Sequence, residues 1–320
     1  MQSRALINAG GKTDLEIAPV VFGGNVFGWT ADEATSFKLL DAFLDLGFNC
    51  IDTADVYSAW VPGHAGGESE TIIGKWLART GNRSRIVLLT KVGHKMVPGS
   101  QGLSKAWIVE EVERSLQRLQ TDSIDLYQSH IDDAATPIDE TLEAYAQLIE
   151  QGKVRYIGAS NFNGARLTEA IELAESRSLP VYRTLQPEYN LYDRHAYEAD
   201  LAPVAERFHL GVIPYFALAS GFLTGKYRSL EDAKGAKRES RVTKYFDERG
   251  LRILDALKRV SDETGAEQAA ISLAWLLAQP NITAPIASAT NVKQMNAMSA
   301  AVELELTPPQ LETLTNASAL

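Results

Sequence analysis

The chain has 320 residues, of which 45% are hydrophobic and 22% are charged, as expected for a soluble globular protein with a large core. The formal net charge is −10, from 31 basic and 41 acidic residues. This balance argues against nucleic acid as the main partner, because phosphate binding needs a basic surface.

Three features of the chain predict a cytoplasmic location. Cys50 is the only cysteine and lies in an apolar run, so a buried, inert thiol in a reducing compartment is expected. The first ten residues lack the apolar segment and cleavage site of a secretory signal. No apolar run approaches the roughly 18 residues of a membrane span. No membrane partner is therefore expected.

Strand-like runs followed by helix-like stretches recur along the chain, with apolar residues three and four apart in the helical stretches. A short β-hairpin is predicted over residues 4–17, with residues 8–12 at its centre. It precedes eight predicted strands, near 20–23, 49–52, 86–91, 124–130, 154–160, 181–186, 211–215 and 283–286.

Three of the intervening helices begin after a recognisable signal, and one of them is followed by a glycine suited to a left-handed conformation. The signals are Asp32 before a helix that starts at Glu33, Ser104 before a helix over 105–119, and Thr136-Pro137 before a helix over 138–150, which Gly152 follows. These boundaries support the strand and helix alternation.

Eight alternations favour a (β/α)8 TIM barrel, an α/β fold, in one domain over residues 1–320. The structural alternative is an open doubly wound sheet. It is disfavoured because the glycines of residues 22–28 lack the G-x-G-x-x-G spacing and have no helix directly behind them. The polar segment 226–247 is rich in Lys and Arg, which predicts a mobile loop over the C-terminal mouth.

Four polar residues lie in segments that form the ends of successive predicted strands: Asp52, Tyr57, Lys91 and His130. A tyrosine hydroxyl with a pKa near ~10 is a poor proton donor at neutral pH unless a neighbouring ammonium lowers that pKa. Lys91 is expected to supply the ammonium, Asp52 to hold it, and His130 to orient a carbonyl oxygen. Each residue alone is more often a cap or a surface charge, but together they predict an acid for carbonyl reduction by hydride.

Several motifs of the chain match those of a known protein family. They are Asp-Thr-Ala-Asp-Val-Tyr at 52–57, Gly-Glu-Ser-Glu at 67–70, Asp-Leu-Tyr-Gln-Ser-His at 125–130, Gly-Ala-Ser-Asn-Phe at 158–162, and residues 218–227. With them the chain resembles the aldo-keto reductase superfamily over nearly its whole length, including bacterial members related to potassium-channel β subunits. The resemblance implies a (β/α)8 barrel with NADPH across its C-terminal mouth. It also implies that Tyr57 donates the proton, that Lys91 and Asp52 lower its pKa, and that His130 positions the carbonyl.

The resemblance further implies contacts to the nicotinamide half of the cofactor. Ser160, Asn161 and Gln186 are expected at the carboxamide and Tyr215 on the ring, with Asp52 close by. The residues expected along the pyrophosphate are Phe216, Ala217, Leu218, Ala219, Ser220 and Gly221, with charge from Lys226 and Arg238, and with Gly24, Asn25 and Val26 on the opposite side.

At the adenosine end, the resemblance implies that Ser288, Thr290 and Gln294 bind the 2′-phosphate, with help from Asn291 or Lys293. NADPH is therefore the expected cofactor. NADH remains possible because residues 286–294 contain no arginine and Met298 stands where relatives often have asparagine.

Trp29, Trp60 and His64 fall in loops predicted to face the mouth. Aromatic walls suit apolar or aromatic aldehydes and ketones, so Trp29, Trp60, Tyr57 and His130 form the predicted substrate site. The alternative is that both tryptophans only pack loops. No metal is assigned, since the histidines at 64, 94, 130, 195 and 209 lack ligand spacing, and His94 and His195 are interpreted as loop residues.

The sequence thus predicts NADPH-dependent reduction of small aldehydes or ketones to alcohols. Two other classes stay open. One is a regulatory subunit on the same scaffold, because some aldo-keto reductase relatives are potassium-channel subunits. The other is a barrel hydrolase that pairs Asp52 with Asp132 or Asp133.

Overall fold

Short buried strands alternate with longer amphipathic helices along the chain. The computed structural model describes residues 13–97 and 99–320, together with the backbone of residues 4–5. The strands are β1 Arg4–Ala5, β2 Glu16–Ile17, β3 Val21–Gly23, β4 Cys50–Asp52, β5 Val87–Val92, β6 Ile124–Ser129, β7 Val154–Ser160, β8 Thr184–Gln186, β9 Gly211–Val212 and β10 Ile286–Ala287.

The helices cover the outer face of these strands, and none in the described part of the chain is both long and apolar enough to cross a bilayer. They are α1 Glu33–Asp45, α2 Glu68–Thr80, α3 Lys105–Leu119, α4 Ile138–Glu150, α5 Gly164–Arg177, α6 Ala202–Phe208, α7 Leu230–Ala233, α8 Glu239–Val242, α9 Glu248–Thr264, α10 Gln268–Leu277, α11 Met295–Glu303 and α12 Pro308–Ala317.

Eight strands form one parallel sheet in the order β10-β3-β4-β5-β6-β7-β8-β9. Its two ends meet, because the Thr283 N–H donates to the Val212 carbonyl and the Ile286 N–H donates to the Pro214 carbonyl, both at 2.8 Å. The sheet therefore closes on itself, and the predicted (β/α)8 barrel is confirmed. Barrel active sites lie at the C-terminal ends of such strands.

The last two barrel strands differ from their predicted positions. The strand predicted at 283–286 pairs with β3 only from Ile286, because Pro285 has no N–H for the ladder. The strand predicted at 211–215 ends at Val212, before Pro214. A similar shortening places the start of β8 at Thr184 rather than 181.

The predicted N-terminal hairpin is present as a pair of antiparallel strands, with Arg4 opposite Ile17. Its predicted centre at residues 8–12 lies outside the described residues. Leu15 and Ile17 pack with Cys50 and Leu89 in a small apolar cluster inside the barrel. Cys50 is accordingly buried, as predicted.

Capping side chains fix the starts of two predicted helices. Asp32 accepts the Thr35 N–H at 2.8 Å, and Ser104 accepts the Trp107 N–H at 3.4 Å. The bounds of α3 and α4 match their predictions, and Gly152 has a φ of +71°. Thr136 does not cap α4, because its hydroxyl donates to Asp133 instead.

Candidate active site

Lys91 lies at the C-terminal end of the barrel, and its side chain is 0% exposed. Its ammonium donates to Asp52 Oδ2 at 2.6 Å, to the Thr53 carbonyl at 2.7 Å and to the Tyr57 hydroxyl at 3.2 Å. A buried ammonium needs such partners because desolvation of an unpaired charge is costly. Hydrogen bonds therefore connect three of the four predicted catalytic side chains in the structure.

Burial by itself would lower the pKa of Lys91, but the Asp52 carboxylate and the Tyr57 oxygen raise it above its ordinary value. Burial also raises the pKa of Tyr57, with Asp52 adding to the rise and Lys91 opposing it. The influence of Lys91 has the predicted sign, but the net pKa of Tyr57 is raised rather than lowered. At neutral pH the hydroxyl therefore holds its proton.

Two glutamine side chains hold the other oxygen of Asp52. Oδ1 accepts from Gln186 Nε2 at 3.0 Å and from Gln128 Nε2 at 3.2 Å. Gln186 was predicted at a nicotinamide carboxamide, and its amide nitrogen donates to Asp52 in this structure. Gln128 was missed, although it lies two residues before His130 and so on the same face of β6. The Asp52 carboxylate is fixed from both sides.

His130 belongs to the same group of side chains, with its ring centroid 5.9 Å from that of Tyr57. Burial, the Lys91 ammonium and His94 together hold the pKa of His130 well below its ordinary value. The imidazole is therefore neutral at neutral pH. Its buried Nδ1 has no hydrogen-bond partner among the described residues.

A hydrogen-bond network beside His130 unites the residues predicted for the nicotinamide. Asn161 Nδ2 donates to the His130 carbonyl at 2.8 Å, and the Tyr215 hydroxyl donates to Asn161 Oδ1 at 2.7 Å. The Ser160 hydroxyl donates to the Gln186 carbonyl at 2.9 Å. Asn161 has a φ of +54°, an uncommon conformation that its neighbours hold in place.

A series of five rings, here called the ring arc, runs along the mouth with Tyr57 in its centre. The centroid separations are 5.8 Å for Trp29 and Trp60, 5.6 Å for Trp60 and Tyr57, 5.9 Å for Tyr57 and His130, and 5.1 Å for His130 and His94. Both predicted substrate tryptophans thus lie in one continuous aromatic series with Tyr57. His64 stands apart, lining a groove of about 470 Å³ that Trp29 also borders.

The segment 226–247 was predicted to be a mobile loop, but it contains α7 and α8. Four of its cations have no carboxylate partner in the described part of the chain: Lys226, Lys237, Arg238 and Arg241. The Arg238 guanidinium lies 5.4 Å from the centroid of the Trp29 ring, and the Arg241 guanidinium 5.3 Å from that of Phe216. Arg241 was missed by the sequence analysis, and its position in a basic run was the available signal.

Four residues predicted along the pyrophosphate have left-handed backbones, with φ of 52° at Phe216, 47° at Ala219, 58° at Ser220 and 98° at Gly221. A Cβ atom at Gly221 would lie 3.3 Å from Lys226 Nζ. Left-handed non-glycine residues are costly and cluster at functional sites. Together with the cations Lys226, Arg238 and Arg241, which lack carboxylate partners in the described part of the chain, this segment fits an anionic group such as a pyrophosphate. Ala217 and Ala219 point into the core, and Leu218 is half-buried.

Three of the residues predicted at the adenosine end take part in contacts between protein groups. The Ser288 hydroxyl lies 2.7 Å from Asn25 Oδ1, and the Thr290 N–H donates to Gln294 Oε1 at 2.8 Å. The side chain of Val26 is fully buried in the core, and Gly24 is buried with it. Of the predicted 24–26 segment, Asn25 is thus the residue with a partly exposed side chain.

A further buried carboxyl, Asp55, lies close to this site and is 1% exposed. Neither of its oxygens has a partner among the residues that the structure describes. Burial raises the pKa of Asp55 well above its ordinary value, Glu70 and Glu111 raise it further, and Arg118 opposes them. Asp55 is therefore protonated at a pH where an exposed aspartate is ionised.

We expect the free energy of unfolding to depend on pH because of the raised pKa of Asp55. The folded protein keeps a proton that the unfolded chain releases above pH about 4, so the free energy of unfolding should fall as pH rises toward the folded pKa. Asp55→Asn should remove a slope of up to about 1.4 kcal/mol per pH unit. Urea unfolding at pH 5 and pH 7 measures it, with the exposed Asp262→Asn as control. Equal slopes for wild type and Asp55→Asn would contradict the protonated state.

The chain is similar in sequence to known proteins over nearly its whole length. The model of the aldo/keto reductase family matches residues 19–319. The chain is 38% identical to the uncharacterized oxidoreductase YrpG of Bacillus subtilis, over 92% of this chain and 90% of that protein. It is 36% identical to the aldo-keto reductase YhdN of Bacillus subtilis, over 87% and 81%. It is 34% identical to a probable voltage-gated potassium channel subunit beta of Arabidopsis thaliana, over 95% and 94%.

Proposed function

Because this chain belongs to the aldo/keto reductase family and is an NAD(P)H-dependent oxidoreductase, we propose that it reduces aldehydes or ketones to alcohols with NADPH. One observation carries the proposal. The Lys91 ammonium lies 3.2 Å from the Tyr57 hydroxyl and 2.6 Å from Asp52. This arrangement suits an acid that must release a proton to a developing alkoxide.

In the proposed reaction Tyr57 donates the proton. Its hydroxyl holds that proton at neutral pH, because burial raises its pKa. As the O–H bond of Tyr57 breaks and that of the alcohol forms, the Lys91 ammonium stabilises the tyrosinate that results. Asp52 keeps Lys91 charged and in position, and the neutral His130 ring orients the carbonyl oxygen. Bound NADPH supplies the hydride.

The proposed cofactor site follows the mouth of the barrel. Ser160, Asn161, Gln186 and Tyr215 would hold the nicotinamide end. Residues 216–221 with Lys226, Arg238 and Arg241 would hold the pyrophosphate, because cations that lack carboxylate partners among the described residues favour an anion there. A preference for NADPH over NADH is proposed from Ser288, Thr290 and Gln294, whose polar groups match the expected 2′-phosphate position.

The proposed substrate is a small carbonyl compound with an apolar or aromatic group. Trp60 and Trp29 follow Tyr57 in the ring arc, and their faces suit such a group. We propose further that residues 1–320 form one domain and that the protein works in the cytoplasm, where its buried Cys50 stays reduced.

A regulatory role is the alternative, and the similarity to a probable potassium channel subunit favours it. The hydrogen-bonded side chains of Tyr57, Lys91 and Asp52 favour catalysis, since a purely structural role does not require this arrangement. The carboxylate hydrolase is not proposed. Asp132 pairs with Arg166 at 3.0 Å, and Asp133 accepts from the Leu103 N–H at 3.0 Å.

The test is a fluorescence titration of the protein with NADPH and NADH, followed by addition of 4-nitrobenzaldehyde while nicotinamide absorbance is recorded. We expect binding that favours NADPH, and oxidation of NADPH once the aldehyde is added. Binding without turnover of this or any other aldehyde would support the regulatory alternative. No binding of either nucleotide would overturn the proposal.

A further inference from the structure

We propose that His94 is a specificity-determining residue that donates a hydrogen bond to an oxygen on the carbon next to the reacting carbonyl. The substrates it favours would be carbonyl compounds with a neighbouring keto or hydroxyl group. This inference rests on the proposed carbonyl reduction. It comes from the position of His94 in the ring arc.

His94 follows β5 through Gly93, whose φ of +102° turns the chain directly after the strand that carries Lys91. This turn brings the His94 ring to 5.1 Å from the His130 ring, at an interplanar angle of 54°. The side chain is partly exposed, whereas His130 is buried. His94 is therefore the outer imidazole of a pair whose inner member adjoins Tyr57.

The hydrogen bonding of His94 determines which ring nitrogen can donate. The Met96 N–H donates to His94 Nδ1 at 3.2 Å, so Nδ1 is an acceptor and the neutral ring carries its proton on Nε2. Within the described ranges no protein group pairs with that Nε2–H. Burial also lowers the pKa of His94 below its ordinary value. At neutral pH the residue thus presents one available N–H.

The two ends of the ring arc differ in chemistry, with tryptophans on one side of Tyr57 and imidazoles on the other. A carbonyl oxygen near Tyr57 and His130 leaves one substituent against the tryptophans and the other toward His94. An apolar substituent on the imidazole side would leave the donor of His94 without a partner. An oxygen acceptor there would satisfy it, and sites that hydrogen-bond a substrate reject analogues that lack the group.

The test compares two ketones, 1-phenyl-1,2-propanedione and 1-phenyl-2-propanone, in wild type and in variants. The readout is the ratio of their kcat/KM values, because intrinsic reactivity cancels when the same pair is used throughout. His94→Phe keeps a ring beside His130 and removes the donor. We expect the ratio to fall about tenfold, the loss of one hydrogen bond, mainly through KM of the diketone. His94→Gln should restore part of it through its amide N–H.

His195→Phe provides the matched control, since His195 is an exposed histidine outside the ring arc. Its ratio should equal that of wild type. An unchanged ratio in His94→Phe would overturn the role of His94. So would an equal fall in the Phe and Gln variants, because the N–H donor that glutamine retains would then make no difference. Turnover of 4-nitrobenzaldehyde in the same assays separates these outcomes from failure of the proposed function, in which wild type reduces none of the compounds.

Discussion

Tyr57→Phe is expected to lower kcat for 4-nitrobenzaldehyde by about 10²- to 10⁴-fold, the range for loss of a general acid. The dissociation constant for NADPH should change by no more than about threefold. The reason is geometric: phenylalanine keeps the ring contacts with Trp60 and His130 and loses the hydroxyl that lies 3.2 Å from Lys91. Steady-state kinetics and the fluorescence titration measure the two effects.

Tyr156→Phe is a matched control for this variant. Tyr156 also loses a hydroxyl, one that donates to Asp14 at 3.2 Å, and it packs with the apolar cluster inside the barrel that contains Leu15 and Ile17. Its kinetics should match wild type. If Tyr57→Phe lost NADPH binding as well as turnover, the residue would be structural rather than the proton donor. Near wild-type turnover would remove it from the reaction.

Lys91→Met is expected to destabilise the protein by about 3–5 kcal/mol, because it leaves the buried Asp52 carboxylate without a counter-charge. Asp52 is 2% exposed and, among the described side chains, would retain only the amide groups of Gln128 and Gln186 as partners. Carbonyl reduction should also fall, since the ammonium no longer opposes the rise in the pKa of Tyr57. Urea unfolding and the pH dependence of kcat/KM measure the two effects.

Two further variants test whether the loss of stability in Lys91→Met comes from the unpaired buried charge. Lys105→Met removes an exposed ion pair with Glu143 and should change stability by less than about 1 kcal/mol. The double variant Asp52→Asn with Lys91→Met removes both buried charges, so it should recover most of the stability while staying slow. Recovery of activity in the double variant, or an unchanged pH profile in Lys91→Met, would contradict the proposed role of Lys91.

Local patterns in the sequence were sufficient for most of the fold. Asp32 and Ser104 mark helix starts because a capping side chain acts on backbone groups within three residues. The predicted strand over 154–160 is reproduced as β7 because its signal is also local. The strand predicted at 283–286 is wrong in position, since its pairing depends on Pro285 and on partners more than 70 residues away.

For the site, the sequence by itself determined which groups stand at the ends of the strands. The period of a strand and the direction of a parallel barrel place Asp52, Lys91 and His130 at one mouth. The tertiary structure alone decided how these groups interact. It determines that the pKa of Tyr57 is raised and that Gln128 donates a hydrogen bond to Asp52. Desolvation and hydrogen bonding both depend on how closely segments far apart in the sequence approach each other. The place of His94 beside His130 was settled in the same way, since ring contacts between two loops leave no periodic signal in either one.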